Sequence, residues 1–399
     1  MKLKKNLLLS VYVLIVFALI FFLKYEPKTY KGLAYNNLLE KDYDLIKKDT
    51  KELQKIYLHV DTLLNQKIRT EEIIDSIYEI KLETSDNFLI GAIDEVIVYN
   101  DYIFILDIYK SKSVFVFDKK GKFLNQIGKK LDYLRPESID IDKKNNQILI
   151  FDNHKGKIII YDFKGKLINE IKFNLVFQGF KILDSGNIFL LCGHYTNDHL
   201  GELKNKEFYI TDKTGSIISY GPENTSQYNK IKYNLDNNFL SKNKNITYSY
   251  RFSDTIFKID KRKVNALYNL EFINKKHNFQ NLFGNKNERE FIEILKEKKF
   301  TIPFFMGKHF FSDNHLLFEY FYKNRVYFSF YDLNNNKLKS GSIIEDKNSI
   351  YRLETNFCGT YENYFITSKD EFHLNKKSSN LQLNIKNHTL IFYKLKNFE

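Results

Sequence analysis

Tryptophan is absent from this chain, and cysteine, methionine and proline are scarce, at 2, 2 and 4 among 399 residues. Two thiols, Cys192 and Cys358, cannot form a framework of disulfides or close a zinc site by themselves. Both stand in apolar, strand-like runs, where a free thiol behaves as a small hydrophobe. Four prolines and 16 glycines exclude collagen-like and Pro/Gly-rich disordered chains. Arginine is short as well, occurring at positions 69, 135, 251, 262, 289, 325 and 352, so the formal net charge of +13 is carried by lysine. Sequence-specific nucleic-acid readout leans on the planar arginine fork, and the lysines are spread along the chain rather than clustered. Lys, Asn, Ile, Phe and Tyr are inflated together, the pattern of translation from an AT-rich genome. Charge therefore points away from nucleic acid as a partner.

Several chemistries are missing too. The chain has no P-loop, no Gly-x-Ser-x-Gly elbow, no His-Glu-x-x-His and no Cys-x-x-Cys. What is abundant is aromatic: 28 tyrosines and 36 phenylalanines, residues that pack well on a pleated, half-buried surface and favour strands.

The chain divides into three zones. Lys2, Lys4 and Lys5 precede an uncharged run over residues 7–23, which Lys24 ends. The run exceeds the roughly 7–15 apolar residues of a cleavable signal and lacks small residues at its end. It reaches the lower limit of about 17–25 for a bilayer span, and no cysteine follows to carry a lipid. Residues 1–24 read as a signal anchor or uncleaved signal, favoured over a cleaved one, that holds the rest outside the cytoplasm, on the periplasmic or cell-surface side. In residues 25–75, Leu39, Tyr43, Ile46, Leu53, Ile56, Val60 and Leu63 recur at mostly three- and four-residue spacings. This predicts an amphipathic helical linker.

Residues 76–399 change to strand periodicity and repeat internally. Asp107-Ile108-Tyr109-Lys110 through Val114-Phe115-Val116-Phe117-Asp118 is echoed by Asp152-Asn153-His154-Lys155 through Ile158-Ile159-Ile160-Tyr161-Asp162. Asp-x-x-Gly follows the strand at Asp118/Gly121, Asp162/Gly165 and Asp212/Gly215; the aspartate caps a turn and the glycine supplies the positive φ that a tight hairpin needs. Weaker copies end at Asp260, Asp332 and Lys394. These six marks are spaced at about one four-stranded blade of roughly 40–50 residues, with two longer intervals. An amphipathic helix from Asn287 to Lys296 accounts for one of them. The prediction is an all-β, six-bladed propeller preceded by a membrane helix and a helical linker. The strand Ile77-Tyr78-Glu79-Ile80-Lys81-Leu82 is expected to close the ring beside residues 389–395, which removes the exposed edges.

Pro136-Glu137-Ser138-Ile139-Asp140-Ile141-Asp142, followed by Gln147-Ile148-Leu149-Ile150-Phe151-Asp152-Asn153-His154, resembles an NHL-type propeller repeat. The segment from Ile74 to Thr84, with Leu89-Ile90-Gly91 after it, resembles the entry strand of exported six-bladed propellers abundant in Bacteroidetes, and Tyr393-Lys394-Leu395-Lys396 is similar to their last strand. The resemblance covers residues 70–396 and implies an extracytoplasmic propeller, commonly a lipoprotein, of largely unassigned function. This chain departs from the pattern in lacking the lipid-bearing cysteine and in its reduced turn at residues 134–138.

Site candidates are few. Gly193-His194-Tyr195-Thr196-Asn197-Asp198-His199 is the richest polar cluster, and His194, Asp198 and His199 are its candidate metal ligands, for calcium or zinc; an exposed loop is the plainer reading. Tyr133, Arg135, Tyr195 and Tyr228 are candidate contact residues. Asp140 and Asp142 begin a blade and are candidates for a channel. The favoured function is a binding or scaffold module for a protein, peptide or glycan, attached to the membrane through residues 7–23. No catalytic residue and no resident cofactor is predicted; a calcium- or zinc-dependent propeller hydrolase or lyase is the alternative. Binding of anionic lipid or nucleic acid by the basic surface ranks last.

Overall fold

A computed structural model describes residues 43–51, 53–59, 66–85, 88–128, 135–224, 240–250, 252–260, 263–273, 288–297, 301–344, 353–374 and 383–398. The apolar run over residues 7–23, most of the predicted linker's first half, Tyr133 and Tyr228 lie outside them. No helix among the described residues is long and apolar enough to cross a membrane.

Six antiparallel sheets make six blades. Blade one runs Glu95–Tyr99, Tyr102–Asp107, Ser113–Asp118, Phe123–Ile127. Blade two is Pro136–Asp142, Gln147–Asp152, Lys157–Asp162, Leu167–Lys172. Blade three is Gly179–Ile182, Ile188–Leu191, Phe208–Thr211, Ile217–Tyr220. Blade four is Leu240–Lys242, Ile246–Ser249, Thr255–Asp260, Lys263–Ile273. Blade five is Phe304–Phe311, His315–Tyr322, Arg325–Asp332, Lys337–Ile344. Blade six has Phe357–Tyr361, Tyr364–Leu374 and Leu383–Leu395, and takes its outer strand, Ile74–Lys81, from the start of the fold. The first strands of successive blades touch all round the ring and enclose a central channel.

The Asp-x-x-Gly turns form as the sequence requires. Asp118 Oδ1 accepts the Lys120 and Lys122 backbone N–H groups at 2.8 and 2.9 Å, while Gly121 takes φ +82°. Asp162 and Asp212 repeat this with Gly165 and Gly215 at φ +85° and +87°. All six marks fall at or beside the end of a third strand. The insertion between blades four and five contains the expected helix, Glu288–Glu297. Closure is antiparallel, with Lys81 opposite Thr389 and Ile77 opposite Tyr393. Tyr78 stacks on Phe392 there at 4.4 Å between centroids.

The apolar core is divided into six clusters, one at each junction between neighbouring blades. Phe104, Leu106, Val114 and Val116 of blade one meet Ile139, Ile148 and Ile150 of blade two; the last junction packs Ile366, Leu390 and Phe392 against Ile103, Phe115 and Phe117. Each large side chain so buried contributes about 1.5–3 kcal/mol, which is why blades facing one another need aromatic and branched residues on both surfaces.

The predicted helical linker is a correction. Where described, its residues form a strap of short strands that add a parallel edge to successive blades: Asp44–Leu45 on blade three, Lys47–Asp49 and Gln54–His59 on blade four, and Lys67–Arg69 on blade five. The one helical turn there is Thr70–Ile73. Ile56 and Leu58, two residues apart, are both buried on one side of their strand, a period-two signal that the three- and four-residue spacings hide. The outer edges of blades four and five present unpaired backbone groups, and the strap satisfies them as no helix would. Lys48 pins it further, its Nζ 2.6 Å from the buried Glu207 carboxylate and 4.2 Å from the Phe257 ring centroid.

Candidate functional site

The up-and-down meander of each blade creates two faces. The upper face carries the connections between blades and the turns between second and third strands. The lower face carries the other two turns of each blade. Every contact and metal candidate read from the sequence that is described lies on the upper face.

Its main feature is the insertion of residues 192–207 between the second and third strands of blade three. The loop is built rather than loose. Asn197, buried and at φ +51°, exchanges hydrogen bonds with the blade-two-to-three connection: its Oδ1 accepts Val176 N–H at 2.7 Å and its Nδ2 donates to Val176 O at 2.9 Å. Asn224 Nδ2 donates to Gly193 O at 2.9 Å from the other side. The buried Tyr209 hydroxyl donates to Leu203 O at 2.5 Å, and Leu200 is inserted into the apolar cluster below. This scaffold leaves Thr196, Asp198, His199 and Glu202 exposed and Tyr195 half-buried against the His194 ring, 4.1 Å between centroids.

As a metal site the loop is not assembled. His199 Nε2 lies 2.5 Å from the Asn174 carbonyl, which only accepts, so that nitrogen carries the proton and has no lone pair for a cation. Among the described residues no three His, Cys, Asp or Glu side chains converge, so His194, Asp198 and His199 do not form a ligand set. Arg135 stands on the same face beside blade two. Its Nε is 2.7 Å from Glu137 Oε1, and Asn153 donates to the other Glu137 oxygen at 2.5 Å. The side chain is half-exposed and held by its partner.

The channel holds groups that sequence reasoning passed over. Lys181, in the first strand of blade three, reaches across blade two: its Nζ donates to Ile139 O at 2.9 Å and to Glu95 Oε1 of blade one at 2.6 Å. Lys242 of blade four does the same one blade on, donating to Ile182 O at 2.8 Å and Asp140 Oδ2 at 2.7 Å. Each lysine therefore staples three consecutive blades. Asp140 also accepts Ile182 N–H at 2.7 Å. Burial works against the Lys181 charge, but the Glu95 and Asp140 carboxylates outweigh it and raise its pKa. Glu95 and Asp140 are thus already engaged with resident cations. Asp142 is not in the channel wall but below it, 2.7 Å from Lys213 and capping the turn at Lys144 and Asn145. Its burial is overcome by Lys213 and Asn145, which hold its carboxyl below the ordinary value.

His309, in blade five, is fully buried, and burial depresses its pKa to about 4. Its Nδ1 lies 3.1 Å from the Gly307 carbonyl and its Nε2 2.9 Å from the Thr247 hydroxyl. The carbonyl can only accept, so the proton sits on Nδ1 and Nε2 accepts from Thr247. His315 starts the next strand and contacts Lys396 O at 2.9 Å. Cys192 and Cys358 are free and buried in separate clusters, as the sequence implied. A local signal for the channel residues existed, namely lone lysines inside apolar strands such as Phe180-Lys181-Ile182. Their partners are 86 and 102 residues away.

The family model described as "Domain of unknown function (DUF4934)" matches residues 54–395. Among solved structures, a protein of Bacteroides fragilis designated as exported shares the fold at a TM-score of 0.63 and 18% identity, covering 89% of this chain and 100% of its own. A member of the DUF4221 family from Bacteroides vulgatus aligns at a TM-score of 0.52 and 12% identity, over 82% of this chain and 98% of its own. None of the curated proteins matches the sequence.

Proposed function

We propose that this chain, which belongs to the DUF4934 family, is an extracytoplasmic binding or scaffold module whose upper face takes a protein, peptide or glycan. The observation that carries this reading is the loop at residues 192–207. Polar side chains on a rigid scaffold, with their backbone tied down on both flanks, are the usual architecture of a recognition surface. The loop offers an aromatic ring at Tyr195, the imidazole of His199 and carboxylates at Asp198 and Glu202, a mixture suited to hydrogen-bonding ligands. Export is supported by the basic start and apolar run over residues 7–23, and by the designation of the similar Bacteroides fragilis protein as exported. Attachment through that run belongs to the same proposal.

The test is a glycan array and a peptide library probed with the detergent-solubilised full chain and with a Tyr195→Ala/His199→Ala/Glu202→Ala variant. Ligands that bind the first should lose at least about tenfold in affinity for the second, or about 1.4 kcal/mol. Ligands held equally by both would overturn the assignment to this face. Removal of residues 1–24 should release the protein from membranes; retention would refute the anchor.

A further inference from the structure

The lower mouth of the channel is a second, separate place to bind something. It opens as a cavity of about 450 Å³ lined by the first strands of all six blades and the turns that follow them, within the roughly 300–1,000 Å³ of small-molecule sites. Five lysines and four carboxylates line it. Most of these cancel internally: Lys181 with Glu95, Lys242 with Asp140, and Lys244 with Asp313 at 3.2 Å. Lys119, Lys143 and Glu362 remain; among the described residues none of the three is in a salt bridge, and Lys119 and Glu362 meet through the Tyr361 hydroxyl, to which both are hydrogen-bonded.

These leftovers are placed, not scattered. Lys119 and Lys143 each have a lysine neighbour, Lys120 and Lys144, that does not line the cavity. Lys119 Nζ lies over the Tyr361 ring, 5.9 Å from its centroid, and Lys143 Nζ lies over Tyr99 at 5.8 Å. The Tyr99 hydroxyl donates to Lys143 O at 3.2 Å, tying the two turns together. The rings therefore steer both ammonium groups to the rim, one on each side of the blade-one turn at Asn100. That turn is held at φ +50°, and the corresponding turn of blade six is held at φ +52° at Glu362. The rim thus offers two cations, one acceptor carboxylate, the Asn100 amide and the amide oxygen of Asn243, whose Nδ2 donates to Phe311 O at 3.1 Å and to Asp313 Oδ1 at 3.3 Å.

We propose that this mouth binds a small sugar acid, a hexose ring bearing one carboxylate, with Lys119 and Lys143 taking its charge and Glu362, Asn100 and Asn243 its hydroxyls. The mixed rim decides between anions. The inorganic phosphate dianion brings a single P–OH donor against the several hydroxyls of a sugar, and Glu362 repels its double charge. A neutral sugar leaves both ammonium groups without a charged partner. A sugar acid supplies one negative group and several donors, and matches both. This inference is independent of the upper-face reading, because the two sites lie on opposite faces.

Isothermal titration of the full chain in detergent with D-glucuronate, D-glucose and inorganic phosphate tests it. Glucuronate should saturate with a Kd of about 1 mM or tighter, and glucose and phosphate should each bind at least about tenfold more weakly. The Lys119→Gln/Lys143→Gln variant should lose glucuronate by about tenfold or more, while Lys119→Arg/Lys143→Arg keeps it within about threefold. Glu362→Gln should weaken glucuronate and strengthen phosphate. Unchanged far-ultraviolet circular dichroism confirms that each variant is folded. Phosphate or glucose binding as tightly as glucuronate, glucuronate indifferent to loss of both lysines, or no saturable heat would each overturn the proposal. The Tyr195→Ala/His199→Ala/Glu202→Ala variant should bind glucuronate as wild type does, so failure of one site is distinguishable from failure of the other.

Discussion

Replacing Lys181 with methionine should destabilise the ring through the charge it abandons rather than the packing it loses. The Lys181 side chain is 5% exposed and its partner Glu95 22% exposed. Methionine fills most of the lysine stem's volume but leaves the Glu95 carboxylate facing the channel without its cation, and Ile139 O without its charged donor. Breaking a fully buried pair from one side costs about 3–5 kcal/mol; with a fifth of Glu95 still reached by water, about 2–3 kcal/mol is expected. Lys181→Met/Glu95→Gln removes the stranded charge, and its cost should fall to about 1 kcal/mol; with Glu95→Gln alone costing about 2 kcal/mol for the cation it strands, the coupling between the sites is about 3 kcal/mol. The measurement is urea unfolding at neutral pH. It is followed by far-ultraviolet circular dichroism and tyrosine fluorescence, which is clean because the chain has no tryptophan. The two probes must coincide for the free energies to be used. A single variant within about 0.5 kcal/mol of wild type, or a double variant as unstable as the two singles added, would refute the view that these charges form a coupled staple.

Three further outcomes follow from the same geometry. His309 has a folded pKa of about 4 against 6.5. Stability should therefore be complete above about pH 6.5 and fall by up to about 3 kcal/mol as pH drops toward 4, because the unfolded chain binds the extra proton; His309→Gln should flatten that part of the pH–stability curve, and an unchanged slope would exclude the histidine as its source. Gly121→Ala would place a Cβ 2.0 Å from the Lys81 carbonyl of the closing strand at φ +82°, whereas Gly156→Ala, at φ +62°, meets open space. Urea midpoints should show the first costing more than about 2 kcal/mol and the second only about 1 kcal/mol. Cys192 and Cys358, whose thiol pKa values burial pushes up, the second to about 12, should both resist a thiol reagent in the native protein and react together on unfolding; rapid native labelling would contradict their burial.

The fold was legible wherever the physics is local. An aspartate that caps its own turn, a glycine forced to positive φ, and strands of branched and aromatic residues are all settled within a few residues of chain. The third-strand ends at Asp118, Asp162, Asp212, Asp260 and Asp332 could therefore be read directly. The closing strand was legible for a related reason: an unpaired strand at the start of a ring has one natural edge to join. The strap was misread because the residues of that pattern serve different blades: Tyr43 packs on the cluster of blades two and three, Ile46 and Leu53 on that of blades three and four, and Ile56 on that of blades four and five. Their spacing reflects the distance between blade edges and imitates a helical period.

The candidate sites divide along the same line. The sequence by itself determined the number of blades, their turns, the inserted helix, the buried free thiols and the polarity of the loop at residues 193–199, all of them consequences of side chains acting on their own backbone. Only the tertiary structure decided which of those groups meet. It set Lys181 against Glu95 and Lys242 against Asp140 by stepping over an intervening blade, engaged His199 with a backbone carbonyl, and brought Lys119 and Lys143 to one channel mouth. Charge pairing across a ring depends on where six sheets point their first strands, and no single stretch of chain contains that geometry.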